Sequence, residues 1–161
     1  MALLEVKHLS KHFKVPKGLL YAVNDVSFSL EKNRTLGVVG ESGCGKSTLG
    51  RLIVHLLKKT SGEIFFEGKN VSNINHEDLK KLRPKIQMIF QDPYSSLNPK
   101  MTVVDIIGEP LKIFHRRMPR HGYEAKVKNA MDTVGLEQRT KYLYPHELDG
   151  GRRQRIGIAR A

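Results

Sequence analysis

The sequence predicts an α/β fold in which an N-terminal antiparallel β region leads into a glycine-rich loop set between a strand and a helix, with a helical subdomain after it. Three observations predict it. Residues 4–13 and 22–30 alternate apolar with polar, most regularly at Val26-Ser27-Phe28-Ser29-Leu30, which is the period of a half-buried strand. The apolar run Thr35 to Val39 enters Gly40-Glu41-Ser42-Gly43-Cys44-Gly45-Lys46-Ser47-Thr48, after which Leu49, Leu52, Ile53 and Leu56 recur at the spacing of one helix face. From Met101 to about Leu148 the pattern is helical: Val127, Ala130, Met131 and Val134 share a face, while Gly108, Pro110 and Pro119 are expected to interrupt.

Between these lie shorter elements. Ser61 to Gly68 places strand formers between glycines, and Asn75 to Leu82 reads as a helix up to the break at Pro84. Lys85 to Phe90 is expected to be a further strand ending at Gln91-Asp92-Pro93. The organisation expected is a single partial domain over 1–161: residues 1–100 hold the antiparallel region and the loop-bearing core, 101–148 the helical subdomain, and 149–161 a final helix.

Composition narrows the function. The 161 residues carry 28 Lys plus Arg against 16 Asp plus Glu, a formal charge of +12, with 39% apolar residues. That balance excludes disordered and collagen-like chains. Apolar runs such as Leu36-Gly37-Val38-Val39-Gly40 fall far short of the roughly 20 residues needed to cross a bilayer. An acidic residue at position 5 precedes any hydrophobic signal core, so no secretory leader is expected and the cytosol is the default compartment. The lone cysteine, Cys44, permits a reducing compartment without proving it. The positive excess favours polyanions. The basic runs Arg116-Arg117 to Arg120 and Arg152-Arg153 to Arg155 lack interleaved aromatics, however, and read as solvated faces rather than a nucleic-acid site.

Gly40-x-x-x-x-Gly45-Lys46-Ser47 satisfies every fixed position of a phosphate-binding loop, in the strand-loop-helix context that such a loop requires. The glycines let successive N–H groups converge on phosphate, and the positive end of the following helix adds its field. Lys46 reaches the β and γ phosphates, Ser47 offers its hydroxyl to Mg²⁺, and Thr48 caps or packs the helix. Cys44 lies among the converging N–H groups. Its alkylation is expected to block nucleotide binding, and nucleotide to protect it. The seven histidines are scattered, and His8 with His12 lacks further partners at metal-site spacing, so zinc is not expected.

With these motifs the sequence resembles the ATP-binding subunits of ABC transporters, specifically the oligopeptide and dipeptide importer branch. The resemblance covers essentially the whole chain and rests on the phosphate loop, on Gln91-Asp92-Pro93-Tyr94-Ser95-Ser96-Leu97-Asn98-Pro99, and on Tyr144 to Ala161. It implies ATP and Mg²⁺ as ligands, held by Gly40 to Thr48. It implies that Gln91 approaches Mg²⁺ and the attacking water, as a group able to donate and accept at once. It implies an aromatic stacked on adenine, with Phe13 the best-placed residue and Tyr21 second. Partners implied are a second ATP-binding subunit, identical or not, and transmembrane permease subunits, with peripheral attachment at the cytoplasmic face of the cell membrane.

Two departures from the family pattern stand out. Its Leu-Ser-Gly-Gly-Gln signature, whose serine and glycines meet the γ phosphate held by the opposite subunit, reads Leu148-Asp149-Gly150-Gly151-Arg152 here. Asp149 brings a carboxylate towards phosphate, which weakens a nucleotide sandwich, yet Asp caps a helix as well as Ser does. Arg152 is placed to offset that charge. Secondly, the family's catalytic strand ending in Asp-Glu and its switch histidine come after the position of Ala161, so these residues alone are expected to bind ATP but hydrolyse it poorly or not at all. They are also expected to expose an apolar sheet edge. Two alternatives stay open: a non-transport ATPase of the same type acting on nucleic acid, and a truncated, inactive nucleotide-binding fragment.

Overall fold

The computed structural model describes residues 2–161, apart from the side chains of Pro93 and Ser95. Its contacts divide into two units, one running to Met88 and the other from Ile89 to Ala161.

In the first unit the alternating residues form two long strands, β1 (Ala2–Val15) and β2 (Gly18–Glu31). They pair antiparallel from Ala2 opposite Glu31 to Val15 opposite Gly18, with register shifts along the way. The structure extends both strands beyond the alternating residues, because the hairpin keeps its ladder out to Gly18. β3 (Ser61–Phe66) pairs with the other edge of β1, and β4 (Lys69–Asn70) closes the sheet in the order β2-β1-β3-β4. Apolar residues of the inward face, Val6, Leu9, Val23 and Ile64, bury against Leu49 and Leu52 of helix α1 (Lys46–Ile53) and against Leu82 of α2 (His76–Leu82). Each buried side chain of this size contributes about 1.5–3 kcal/mol. The Asn75 side chain caps α2 by accepting from the Asp78 N–H at 2.9 Å.

Three sequence expectations fail in this unit. Residues 35–39 and 85–90 form no strand. Both runs have the composition of a strand, but a strand exists only where a neighbour completes its ladder, and neither run pairs with the four-stranded sheet. Leu36, Val38 and Val39 are accordingly exposed, Val39 at 94%. Leu56 does not continue the α1 face. The helix stops at Ile53 with Val54 as its cap, His55 turns left-handed at φ 56°, and Leu56 is exposed.

The second unit is helical: α3 (Pro93–Ser96), α4 (Val103–Phe114), α5 (Arg120–Thr133) and α6 (Gly150–Arg160), with 3₁₀ turns at Gln138–Tyr142 and Pro145–Glu147. Its core gathers Val103, Ile106 and Ile107 of α4, Val127 and Met131 of α5, Leu148, and Ile156 of α6. Ala130 and Val134 pack against that core, as the shared face requires. Gly108 and Pro110 do not interrupt. α4 runs through both, with Pro110 inside it. A proline there removes one backbone hydrogen bond, and the burial of Ile106 and Ile107 offsets the loss. Gly108 is needed for a different reason: a Cβ there would overlap the hydroxyl of Tyr123 on α5, which donates to the Val104 carbonyl at 3.2 Å. Pro119 stands outside its helix, as the N-cap of α5.

Candidate phosphate site and signature helix

In the first unit the loop 40–45 closes on itself through Lys46. Its Nζ donates to the carbonyls of Gly40 at 2.7 Å and Glu41 at 2.6 Å and lies 3.6 Å from Cys44 Sγ. The Cys44 N–H donates to the Glu41 carbonyl at 3.3 Å, completing a tight turn. The ammonium is thereby held inside the loop at the head of α1.

Gly45 makes the geometry possible. It caps α1 in the left-handed region at φ 101°, with no side-chain hydrogen bond at the cap and no acidic residue in the first turn. A Cβ on Gly45 would collide with the Ala22 carbonyl oxygen of β2, so the sheet packs directly on the loop. The first-turn amides of an α-helix have no intrahelical acceptor. Here no side chain among the described residues takes that place, which leaves the positive end of α1 open beside a positive side chain. Ser47 and Thr48 lie in that first turn, Ser47 exposed and Thr48 partly buried. Glu41, Ser42, Gly43 and Cys44 are also exposed.

The other expected site residues lie elsewhere. Phe13 is half-buried on β1, opposite Leu20, with Lys11 Nζ 4.9 Å from its ring centroid. Tyr21 is exposed and its ring lies 4.2 Å from that of His12. Gln91 and Asp149 to Gly151 belong to the second unit. Gln91 is exposed and precedes Asp92, whose carboxylate accepts from the Tyr94 N–H at 2.8 Å and so begins α3.

Asp149 is the N-cap of α6, and its Oδ1 accepts from the Arg152 N–H at 2.8 Å. That bond, ahead of the nearby Arg152 charge, holds the carboxyl below its ordinary value. Arg152 Nε stands 3.5 Å from Asp149 Oδ2, and its Nη2 stands 3.8 Å from Glu137, which also pairs with Arg139. The offset of the Asp149 charge expected of Arg152 is therefore present in the geometry.

Arg153 corrects the sequence reading of its basic run. Arg116, Arg117 and Arg120 are exposed as expected, but Arg153 is only 7% exposed. The available signal was periodicity: Arg153, Ile156 and Arg160 fall at i, i+3 and i+7, one face of α6. The packing of Ala22 against Gly45 left no such trace.

An open helix end behind a loop that already holds an ammonium has the geometry of an anion site. Residues 23–161 match the ABC transporter family model, and the chain belongs to that family. It is 52% identical over 160 residues to the oligopeptide transport ATP-binding protein OppF of Bacillus subtilis (strain 168), covering 99% of this chain and 52% of that protein. It is 46% identical over 168 residues to the OppF protein of Escherichia coli (strain K12), covering 99% of this chain and 50% of that one. The chain thus spans about half the length of the curated relatives it matches. Among solved structures it superposes on the dimeric bacterial ABC transporter cassette MJ0796 with a TM-score of 0.89 at 29% identity, over 98% of this chain and 68% of that one. A post-hydrolysis form of that cassette, bound to ADP and Pi, matches with a TM-score of 0.86 at 28% identity, over 98% of this chain and 68% of that one. The α/β phosphate-loop fold and the ABC resemblance read from the motifs are both borne out. Among the described residues no helix is long and apolar enough to cross a membrane.

Proposed function

We propose that the chain is the nucleotide-binding part of an ATP-binding subunit of an ABC importer for oligopeptides or dipeptides. The observation that carries this is the Lys46 ammonium fixed in the loop by the Gly40 and Glu41 carbonyls, at the open end of α1. Gly40 to Thr48 hold the phosphates of ATP, with Lys46 stabilising charge that develops on the transferred phosphoryl group. Among the described residues no group of three or more His, Cys, Asp or Glu is placed to hold a metal ion. The Ser47 hydroxyl, in the first turn of α1, is a hard oxygen donor of the kind that would hold Mg²⁺ together with phosphate oxygens. Gln91 approaches the ion and positions water, and Phe13 stacks on adenine.

Residues 1–100 act as the core, 101–148 as the subdomain facing the permease subunits, and 149–161 as the signature helix. Asp149, Gly150 and Gly151 face nucleotide held by a second ATP-binding subunit. The assembly works at the cytoplasmic face of the cell membrane. The 161 residues by themselves bind Mg-ATP with little or no turnover.

The test is a titration with Mg-ATP, followed by heat stability and ATP turnover on the same sample, with Lys46→Ala as control. Saturable stabilisation that needs Lys46 and comes without turnover is the expected result. Absence of stabilisation in the wild type would overturn the reading.

A further inference from the structure

Arg153 is a buried cation that the phosphate chemistry does not use. A guanidinium stays charged at any working pH, so its burial demands partners. It finds them in two segments of the second unit. Nε donates to the Pro145 carbonyl at 2.6 Å and Nη2 to the His146 carbonyl at 3.4 Å. The plane of the group lies under the Tyr94 ring, with Cζ 3.8 Å from the centroid. Nη1 is buried with no hydrogen-bond partner among the described residues, so the ring face is what that side of the cation has been given.

A second grip lies two turns along the same face. Arg160 Nη1 donates to the Ser96 carbonyl at 2.7 Å. Seven residues of helix separate the two arginines by about 10 Å, so α6 holds the segment 94–96 at two points rather than about one pivot. Tyr94 is itself 68% exposed. Burial in the core therefore does little to fix it, and the cation beneath it does more. Three residues before Tyr94 stands Gln91, and four before Arg153 stands Asp149.

We infer that Arg153 is a positioning residue that locks Tyr94, and through it the Gln91 loop, to the signature helix α6, so that loop and helix shift together when nucleotide binds. The inference rests on the ATP-binding reading for its functional consequence, whereas the lock itself is testable without nucleotide.

The experiment uses the full-length subunit in its transporter complex. Amide hydrogen exchange is followed at 94–97 and along α6 without nucleotide, and kcat and KM for Mg-ATP are measured on the same samples. Tyr94→Leu and Arg153→Lys are expected to speed exchange at 94–97 by about tenfold while α6 keeps its protection, from loss of the stacked cation. They are expected to lower kcat by about the same factor with KM within twofold. Tyr94→Phe, which keeps the ring face, should retain wild-type values in both. Exchange at 94–97 within twofold of wild type in Tyr94→Leu would overturn the lock. So would a Tyr94→Phe variant as impaired as Tyr94→Leu, whereas faster exchange with unchanged kcat would overturn the coupling of the lock to nucleotide turnover. A wild type that fails to hydrolyse ATP would overturn the ATPase reading alone, because the exchange comparison still decides whether the lock exists.

Discussion

The chain builds two glycine-led helix starts and finishes them in opposite ways. At α1 the cap is Gly45, left-handed and without a side chain, and the cation that follows folds back into the loop. At α6 the cap is Asp149, whose carboxylate takes the Arg152 N–H, with the Arg152 side chain alongside it. Both ends carry the positive half-charge of a helix N-terminus. The first leaves it available to an outside anion, and the second has satisfied it from within. Glycines at a helix start thus do not by themselves set how much of its positive end is open to an anion. What the cap residue does with the first-turn amides decides the matter.

The strongest way to break this contrast is to add a methyl group to a glycine at each helix start, the Gly45 cap of α1 and Gly150 in the first turn of α6. Gly45→Ala places a Cβ against the Ala22 carbonyl at φ 101°, and left-handed strain together with overpacking should cost at least about 3 kcal/mol. Gly150 has no atom within 4 Å of its would-be Cβ. Gly150→Ala should accordingly be neutral or stabilise by up to about 1 kcal/mol. Urea unfolding of the two variants measures both effects, and equal midpoints would remove the structural basis of the comparison.

Next in size is the cation. If the α1 loop is the phosphate receptor, Lys46→Ala loses charged hydrogen bonds to ATP of roughly 1.5–3 kcal/mol, which is about a tenfold to hundredfold weaker affinity by calorimetry. Unchanged affinity would place the phosphates elsewhere.

A smaller effect is expected at the other cap. Two unit charges 4 Å apart repel by about 1 kcal/mol in water, so Asp149→Ser should tighten ATP-driven association with the second subunit by about fivefold in the full-length protein. Stability should change by less than about 0.5 kcal/mol, because Ser and Asp cap comparably. Weaker association in Asp149→Ser would mean that the Asp149–Arg152 pair is itself the recognition element.

How far these features were legible in the sequence follows from how local each is. The turn at Gly40–Gly45 and the start of α1 at Lys46 were legible, since the glycines and the lysine lie within seven residues, whereas the strand expected before them was not formed. The β1–β2 alternation and the Val127 and Met131 face were legible because one element's period records one buried side. Residues 35–39 and 85–90 were misread as strands because a ladder depends on a neighbour that local composition does not encode. Pro110 misled for a related reason: the apolar packing of α4 outweighs one lost hydrogen bond, and that packing comes from other elements. Arg153 was hidden among solvated arginines, although its spacing to Ile156 marks the inward face. The charge of a residue was read where its phase should have been.

The two helices also differ at their far ends, and this yields the mildest prediction. α6 ends with Arg160 donating from Nη1 to the Ser96 carbonyl. α1 is followed by His55, left-handed, with Nε2 buried and without a hydrogen-bond partner among the described residues. Burial first, and the charge of Lys59 second, push its pKa below the ordinary 6.5. Between that lowered value and 6.5 the unfolded chain binds more protons than the folded one, so stability rises with pH across this window. Acidification from pH 7 through 6.5 should therefore weaken the first unit until the folded-state value is passed, below which this group adds no further slope. His55→Asn, which tolerates the left-handed backbone and does not titrate there, should flatten that part of the profile. Urea midpoints at pH 7.5, 6.5 and 5.5 provide the check, and parallel profiles for wild type and variant would show that His55 contributes nothing to the pH dependence.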